Sequence, residues 1–306
     1  VGLGITIANP VLQLGVSLQA IKTRINQDDW VKLGIVAAAA VALYAPVMAK
    51  LAQDWWHNPN YSQGFLIPPL AAYLVWDNRQ TLADTPSKPS NWGLAFALGA
   101  AAVLFLGSLG AELFLTRISL VLMLASLVVF LFGWQWLRRL LFPLAVLLMM
   151  IPIPEIIFNQ IALPLQLAAT RLAGGFLSLA GVPAFLDGNL IELPNSVTLE
   201  VAEACSGIRS LMALLALGVT YAYFFDSRRS VRWILVAATL PIAIVANGVR
   251  IAGTGVLTYL VSQDAAEGYF HVFSGWLVFV VAFLMFVALH KLISLFWRDP
   301  KRAATT

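Results

Sequence analysis

The sequence predicts an all-α polytopic membrane protein of about eight transmembrane helices, with a re-entrant or interfacial helix and a small β-hairpin. Three observations carry this. Of the 306 residues, 60% are hydrophobic and 11% charged, and the mean hydropathy is +0.84; a soluble domain carries about 25% charged residues. Apolar runs close to the length of a bilayer crossing recur along the chain. The basic residues stand in short clusters between those runs, as topology signals do, rather than in a basic surface for nucleic acid.

Runs long enough or nearly long enough to span lie at 32–51, 64–77, 92–109, 114–134, 140–156, 206–225, 232–249 and 272–296. The second is short, and Trp55, Trp56 and Trp76 flank it as interfacial anchors. A ninth apolar segment, 160–182, contains Pro164, Arg171, Gly174 and Gly175. Those breakers favour a re-entrant or amphipathic helix over a free span. Residues 250–261 either extend the seventh span or form a short piece of their own. Between 184 and 202, the turn pairs Gly188-Asn189 and Pro194-Asn195 separate alternating apolar residues, which reads as one or two β-hairpins. Residues 1–31 read as a cytoplasmic or interfacial lead and not as a signal peptide, because Lys22 and Arg24 follow the first apolar stretch. Residues 32–297 are expected to form one transmembrane catalytic domain, and 298–306 a basic cytoplasmic tail.

Orientation follows from the loops. If eight spans alternate, Lys22, Arg24, Lys32, Arg79, Lys88, Arg138, Arg139, Arg228, Arg229, Arg232, Arg298, Lys301 and Arg302 all fall on one side. The positive-inside rule makes that side cytoplasmic, with both termini there. The opposite side receives the whole of 157–205 and of 250–271. The lipid bilayer is the first partner this implies.

Topology also gathers chemistry. Cys205, Arg250 and His271 sit at the outer ends of the sixth, seventh and eighth spans. A thiol needs a neighbouring imidazole or cation to become an effective nucleophile. A fixed guanidinium stabilises the oxyanion formed on attack at an amide. An imidazole protonates the leaving amine. Each residue also has an ordinary structural reading: a small packing cysteine, a snorkelling arginine, a histidine bonded to a loop carbonyl. Arg209, one turn after Cys205, shares its helix face and can pair with Glu203 or Glu200, or with an acidic substrate group. Cys205 is the single cysteine, so an internal disulfide and a multi-cysteine metal site are excluded. His57, His271 and His290 are too dispersed for a helical metal motif, and no cofactor fingerprint is present.

The residues around these three resemble a known family. Val201-Ala-Glu-Ala-Cys205-Ser-Gly-Ile-Arg209-Ser210 is similar to the nucleophile motif of exosortases, Ala246-Asn247-Gly248-Val249-Arg250-Ile251 to their arginine motif, and Gly268-Tyr-Phe-His271 with Gly275-Trp276 to their histidine motif. Asn60-Tyr-Ser-Gln-Gly-Phe-Leu-Ile-Pro68 and Ile151-Pro-Ile-Pro154 resemble two further family segments, with Gln63 where family members often carry histidine. The resemblance runs in order from Asp54 to Trp276 and has several implications. It implies a cysteine peptidase or transpeptidase of the bacterial inner membrane, with no cofactor or metal and its site facing the periplasm. Its partners would be proteins with a C-terminal Pro-Glu-Pro motif, membrane span and basic cluster (the PEP-CTERM tail), sorted to the envelope or exopolysaccharide matrix. Cys205 would be the nucleophile, His271 the proton carrier and Arg250 the oxyanion stabiliser, with Arg209, Glu203, Asn247 and Arg171 around the substrate. A non-catalytic scaffold or transporter component of exopolysaccharide export is the competing reading. A lipid-linked glycan transferase is a third, for which Glu155, Asp187, Glu192, Glu200 and Glu203 offer acidic groups. A transporter would favour more mid-span charge than Arg117 and Arg171, or an internal repeat.

Overall fold

The computed structural model describes residues 27–194, 197–201, 208–226, 228–261 and 269–297. These are mostly helical and divide into two compact units, Val1–Pro152 and Ile153–Thr306. Six helices among the described residues are long and apolar enough to cross a membrane, where the sequence reading counts eight.

The first unit contains α1 (Gln27–His57), a 3-10 turn (Pro59–Phe65), α2 (Ile67–Asp77), α3 (Arg79–Ala83), α4 (Trp92–Leu109), α5 (Leu113–Phe132) and α6 (Trp134–Leu148). α4 and α5 form an antiparallel pair held close at both ends by glycine. A Cβ built on Gly93 lies 2.3 Å from the Phe130 backbone nitrogen, and one on Gly107 lies 2.9 Å from that of Thr116. Side chains larger than hydrogen at these two points would push the helices apart. Gly133 turns the chain from α5 into α6 with φ +91°, and a Cβ there would meet the Lys88 carbonyl oxygen at 2.0 Å. Two of the expected spans are short here: α2 has 11 residues and α6 has 15. Pro59, Pro68 and Pro69 explain the first, since the chain after α1 makes a 3-10 turn before α2 can start.

The second unit contains α7 (Glu155–Leu179), β1 (Phe185–Asp187), β2 (Leu190–Leu193), β3 (Val197–Glu200), α8 (Ile208–Phe225), α9 (Arg229–Leu260) and α10 (Tyr269–Phe296). α7 covers the segment read as a re-entrant or interfacial helix. It is one continuous helix of 25 residues that meets the length and apolarity of a span. Pro164 does not stop it, and Gly174 is used for packing, its Cβ position lying 2.6 Å from Leu186. α7 runs alongside α9 in the same direction, because Ala169, Leu172 and Ala173 face Gly248 while Leu177 faces Gly255. α8 packs on α9 through Gly218 against Thr239, and Phe286 of α10 comes against the same glycine.

The larger of the two expectations, two hairpins, is present as a three-stranded sheet. β1, β2 and β3 form an antiparallel sheet in that order, with Leu186 opposite Ile191 and Ile191 opposite Leu199. Gly188, at φ +59°, makes the β1–β2 turn. The Val201 amide donates to the Asn189 carbonyl at 2.9 Å and ties the end of β3 to that turn. Ile191 and Leu193 are buried while Glu192 is exposed, the alternation of a half-covered sheet. Its covered face joins Ala169, Ala173, Leu177, Ile251 and Ala252 in one core. A second core of Leu211, Leu214, Leu235, Ile242, Ala282 and Phe286 joins α8, α9 and α10.

Candidate active site

α9 sets the scale of the second unit. Its 32 residues span about 48 Å at 1.5 Å per residue, more than the roughly 30 Å of a hydrocarbon core. Residues 233–249 contain no Asp, Glu, Lys or Arg. Arg232 and Arg250 bracket that stretch, about 27 Å apart along the axis. Arg250 therefore lies at one edge of the apolar zone, and ten further residues project beyond it. The seventh helix does not end near Arg250: residues 250–260 extend it. Ile251, Ala252 and Gly255 on this projection receive the sheet, with Leu199 3.5 Å from the Gly255 Cβ position.

Arg250 is half-buried, and its carbonyl accepts from Thr254 Oγ1 at 3.1 Å. Asn247, one turn earlier, is 2% exposed and lies inside the bundle. Arg171 of α7 is exposed, next to Leu172, whose Cβ lies 2.9 Å from a Cβ built on Gly248. Arg171, Asn247 and Arg250 thus share one level of the α7–α9 pair. Arg209 is the second residue of α8 and His271 the third of α10; their side chains, with Glu203 and Cys205 entire, lie outside the described residues. Cys205 stands in sequence between Val201, anchored to the sheet, and Ile208, where α8 begins.

The sequence reading missed two features of the first unit. Trp55, 4% exposed, donates from Nε1 to the Met150 carbonyl at 2.9 Å and stacks edge-on against Phe65. A Cβ on Gly64 would strike its indole at 2.3 Å. This tryptophan joins the 3-10 turn to the segment before Pro152. Arg117, 3% exposed, forms an ion pair with Asp54 at the end of α1, so the mid-span charge of the sequence reading is a neutralised one. Arg117 Nε has no hydrogen-bond partner among the described residues. Both pairings join residues more than 60 positions apart, which no local pattern signals.

A family model for transmembrane exosortases matches residues 55–288. The chain belongs to the transmembrane exosortase family. That membership points to a transmembrane transpeptidase, and with six candidate spans the exosortase is a multi-pass membrane protein. The matched stretch takes in Trp55, the 3-10 turn, the sheet and the three motifs around Cys205, Arg250 and His271. No curated protein and no solved structure matches this exosortase.

Proposed function

We propose that this exosortase is a cysteine transpeptidase that cleaves C-terminal Pro-Glu-Pro sorting tails at the periplasmic face of the bacterial inner membrane. The observation that carries the reading is Arg250 at the edge of the apolar zone of α9, directly below the sheet. Three features share this end of the second unit: Val201 at the end of β3 (four residues before Cys205 in sequence), the start of α8, and the first turn of α10 with His271. The opposite end carries Arg228, Arg229, Arg232 and Lys291. The positive-inside rule assigns that end to the cytoplasm, and this support does not depend on a count of eight spans.

In this reading the Cys205 thiolate attacks the carbonyl carbon of the scissile peptide bond, and the bond's π electrons move to oxygen. The Arg250 guanidinium stabilises that oxyanion, more strongly at a water-poor membrane edge than in bulk water. The tetrahedral adduct collapses to a thioester as His271 gives a proton to the leaving amine. A water or an amine of an envelope polymer then attacks the thioester and restores the thiolate. Arg209 and Arg171 are the cations available for the glutamate of the tail, Glu203 orients Arg209, and Asn247 holds α9 from within. The bilayer positions the tail's own span, which replaces a search in three dimensions by one in a plane.

The test is co-expression with a reporter ending in a Pro-Glu-Pro motif, a span and a basic cluster, followed by gel shift. Wild type should shorten the reporter and Cys205→Ala should not, at equal membrane levels. Equal processing by the variant, or an intact reporter with wild type, overturns the reading.

A further inference from the structure

The end of the second unit away from Arg250 contains a polar cluster that the proposed chemistry does not use. Asp226, in the turn between α8 and α9, has a side chain only 2% accessible. Its Oδ1 accepts from the Arg228 amide at 2.8 Å and from Arg228 Nε at 3.0 Å, and its Oδ2 from Arg228 Nη2 at 2.6 Å. Oδ2 also lies 3.1 Å from Nε2 of His290 on α10, whose Nδ1 is 2.9 Å from the Tyr221 hydroxyl of α8. His290 thus bridges two polar groups, with Nε2 toward the Asp226 carboxylate and Nδ1 toward the Tyr221 hydroxyl. Arg228 also donates from Nη1 to the Trp297 carbonyl just past the end of α10. Arg232 donates to the Asp226 carbonyl at 2.6 Å and to that of Tyr223 at 2.9 Å.

α10 is therefore held at two points, on its side by His290 and at its end by Arg228. From Phe279 to Leu289 its residues are all apolar, and apolar contacts resist separation far better than they resist sliding or rotation. Among the described residues of α10 and its end, the two grips supply the directional bonds to neighbouring elements. A rigid helix carries such a constraint along its axis, and His271 lies 19 residues from His290, about 28 Å away.

We infer that the Asp226–Arg228–His290–Tyr221 cluster is a positioning device that fixes the axial register of α10 and, through it, the place of His271. The part concerning His271 rests on the proposed transpeptidase reading; the register does not. Burial pushes the Asp226 carboxyl up, and hydrogen bonds from Arg228 and His290 outweigh that and hold it at about 2, so the anion that grips His290 persists across physiological pH.

The experiment uses the full chain with Cys205→Ser, and spin labels on cysteines placed at the exposed positions Leu260 and Trp276. Double electron–electron resonance reads the distance between the far ends of α9 and α10. The parent should give one narrow distance. Asp226→Asn and His290→Leu should shift or broaden it by about 5 Å, one helical turn. His290→Gln, which keeps a donor for Asp226, should restore most of the parent distribution, and Tyr221→Phe, the mildest change, should lie between. The parent distribution in Asp226→Asn, or in Tyr221→Phe should the harsher variants not fold, together with an equally unaltered His290→Leu wherever it folds, overturns the inference. In the chain with native Cys205, processing of the tail reporter by Asp226→Asn should lose about tenfold in kcat with KM unchanged. A shifted distance with full kcat refutes the link to His271. If wild type leaves the reporter intact, the transpeptidase reading fails while the distance still decides the register.

Discussion

Gly248 and Gly253 lie on the same helix, and the structure assigns them opposite responses to one added methyl group. A Cβ on Gly248 would lie 2.9 Å from Leu172 Cβ, 3.5 Å from the Ala169 carbonyl and 3.7 Å from the Ala173 nitrogen. Unstrained carbon–carbon contact begins at about 3.5–4.0 Å, so α7 and α9 must part by roughly 0.6–1.1 Å. The obstructing atom is a Cβ, fixed to the backbone, and cannot swing aside. Overpacking of this kind costs about 1–3 kcal/mol, against a helix-propensity gain of up to about 1 kcal/mol. Around Gly253 nothing lies within 4 Å, and only the gain remains. Gly248→Ala should therefore lower the melting temperature in detergent by roughly 2–6 °C, and Gly253→Ala should leave it level or raise it by about 2 °C. Circular dichroism during heating reads both. A Gly248→Ala protein as stable as wild type would refute the close α7–α9 contact, and with it the shared level of Arg171 and Arg250.

Three other outcomes are expected. Asp54→Ala leaves the buried Arg117 charge without its carboxylate and should cost about 3–5 kcal/mol, whereas Arg117→Leu should cost less, because Asp54 is partly exposed and has Lys50 at 3.9 Å; urea unfolding of both variants compares them. Trp55→Phe removes the donor to Met150 and should destabilise by about 1–3 kcal/mol, and limited proteolysis should then cut within 59–65 earlier than in wild type. Asp226, held at about 2 against an ordinary 3.8, should add about 2 kcal/mol of stability above pH 4. Because its folded value is the lower one, that stability is lost as pH falls from about 4 to 2. Asp226→Asn should flatten a stability-against-pH curve in this window, and an unaltered slope would exclude Asp226 as its source.

What the sequence reveals here follows how local each signal is. Gly188-Asn189 and the alternation after it predict the β1–β2 hairpin, because a turn and its flanking strands occupy one short stretch. The strand at 197–200 is legible for the same reason. The end of α9 is legible only as one of two options, since Arg250 carries the charge at which an apolar run can stop, and the sheet packed on Ile251, Ala252 and Gly255 explains why the helix goes on. In α7, Pro164, Arg171 and the glycine pair look like breakers, and only the structure shows the helix running through them, with Gly174 accommodating Leu186. Of the candidate site, the motifs give the residue types, and the structure adds the level of Arg250 and the burial of Asn247. The Asp226–His290 and Asp54–Arg117 pairs depend on which helices become neighbours, and apolar helices of similar composition do not encode that locally.

The stretch of α9 beyond Arg250 has a geometric consequence for the proposed cleavage at this level. From Arg250 to Leu260 the helix rises about 15 Å, and the sheet is packed against it. A peptide bond brought to the level of the arginine lies at the foot of this wall, and a folded domain upstream of it must stay above the top. At about 3.3 Å per extended residue, the leash between domain and bond needs at least roughly five residues. In the proposed reaction the height of one helix end would act as a ruler, sorting substrates by the length of their linker before any side chain in them is read.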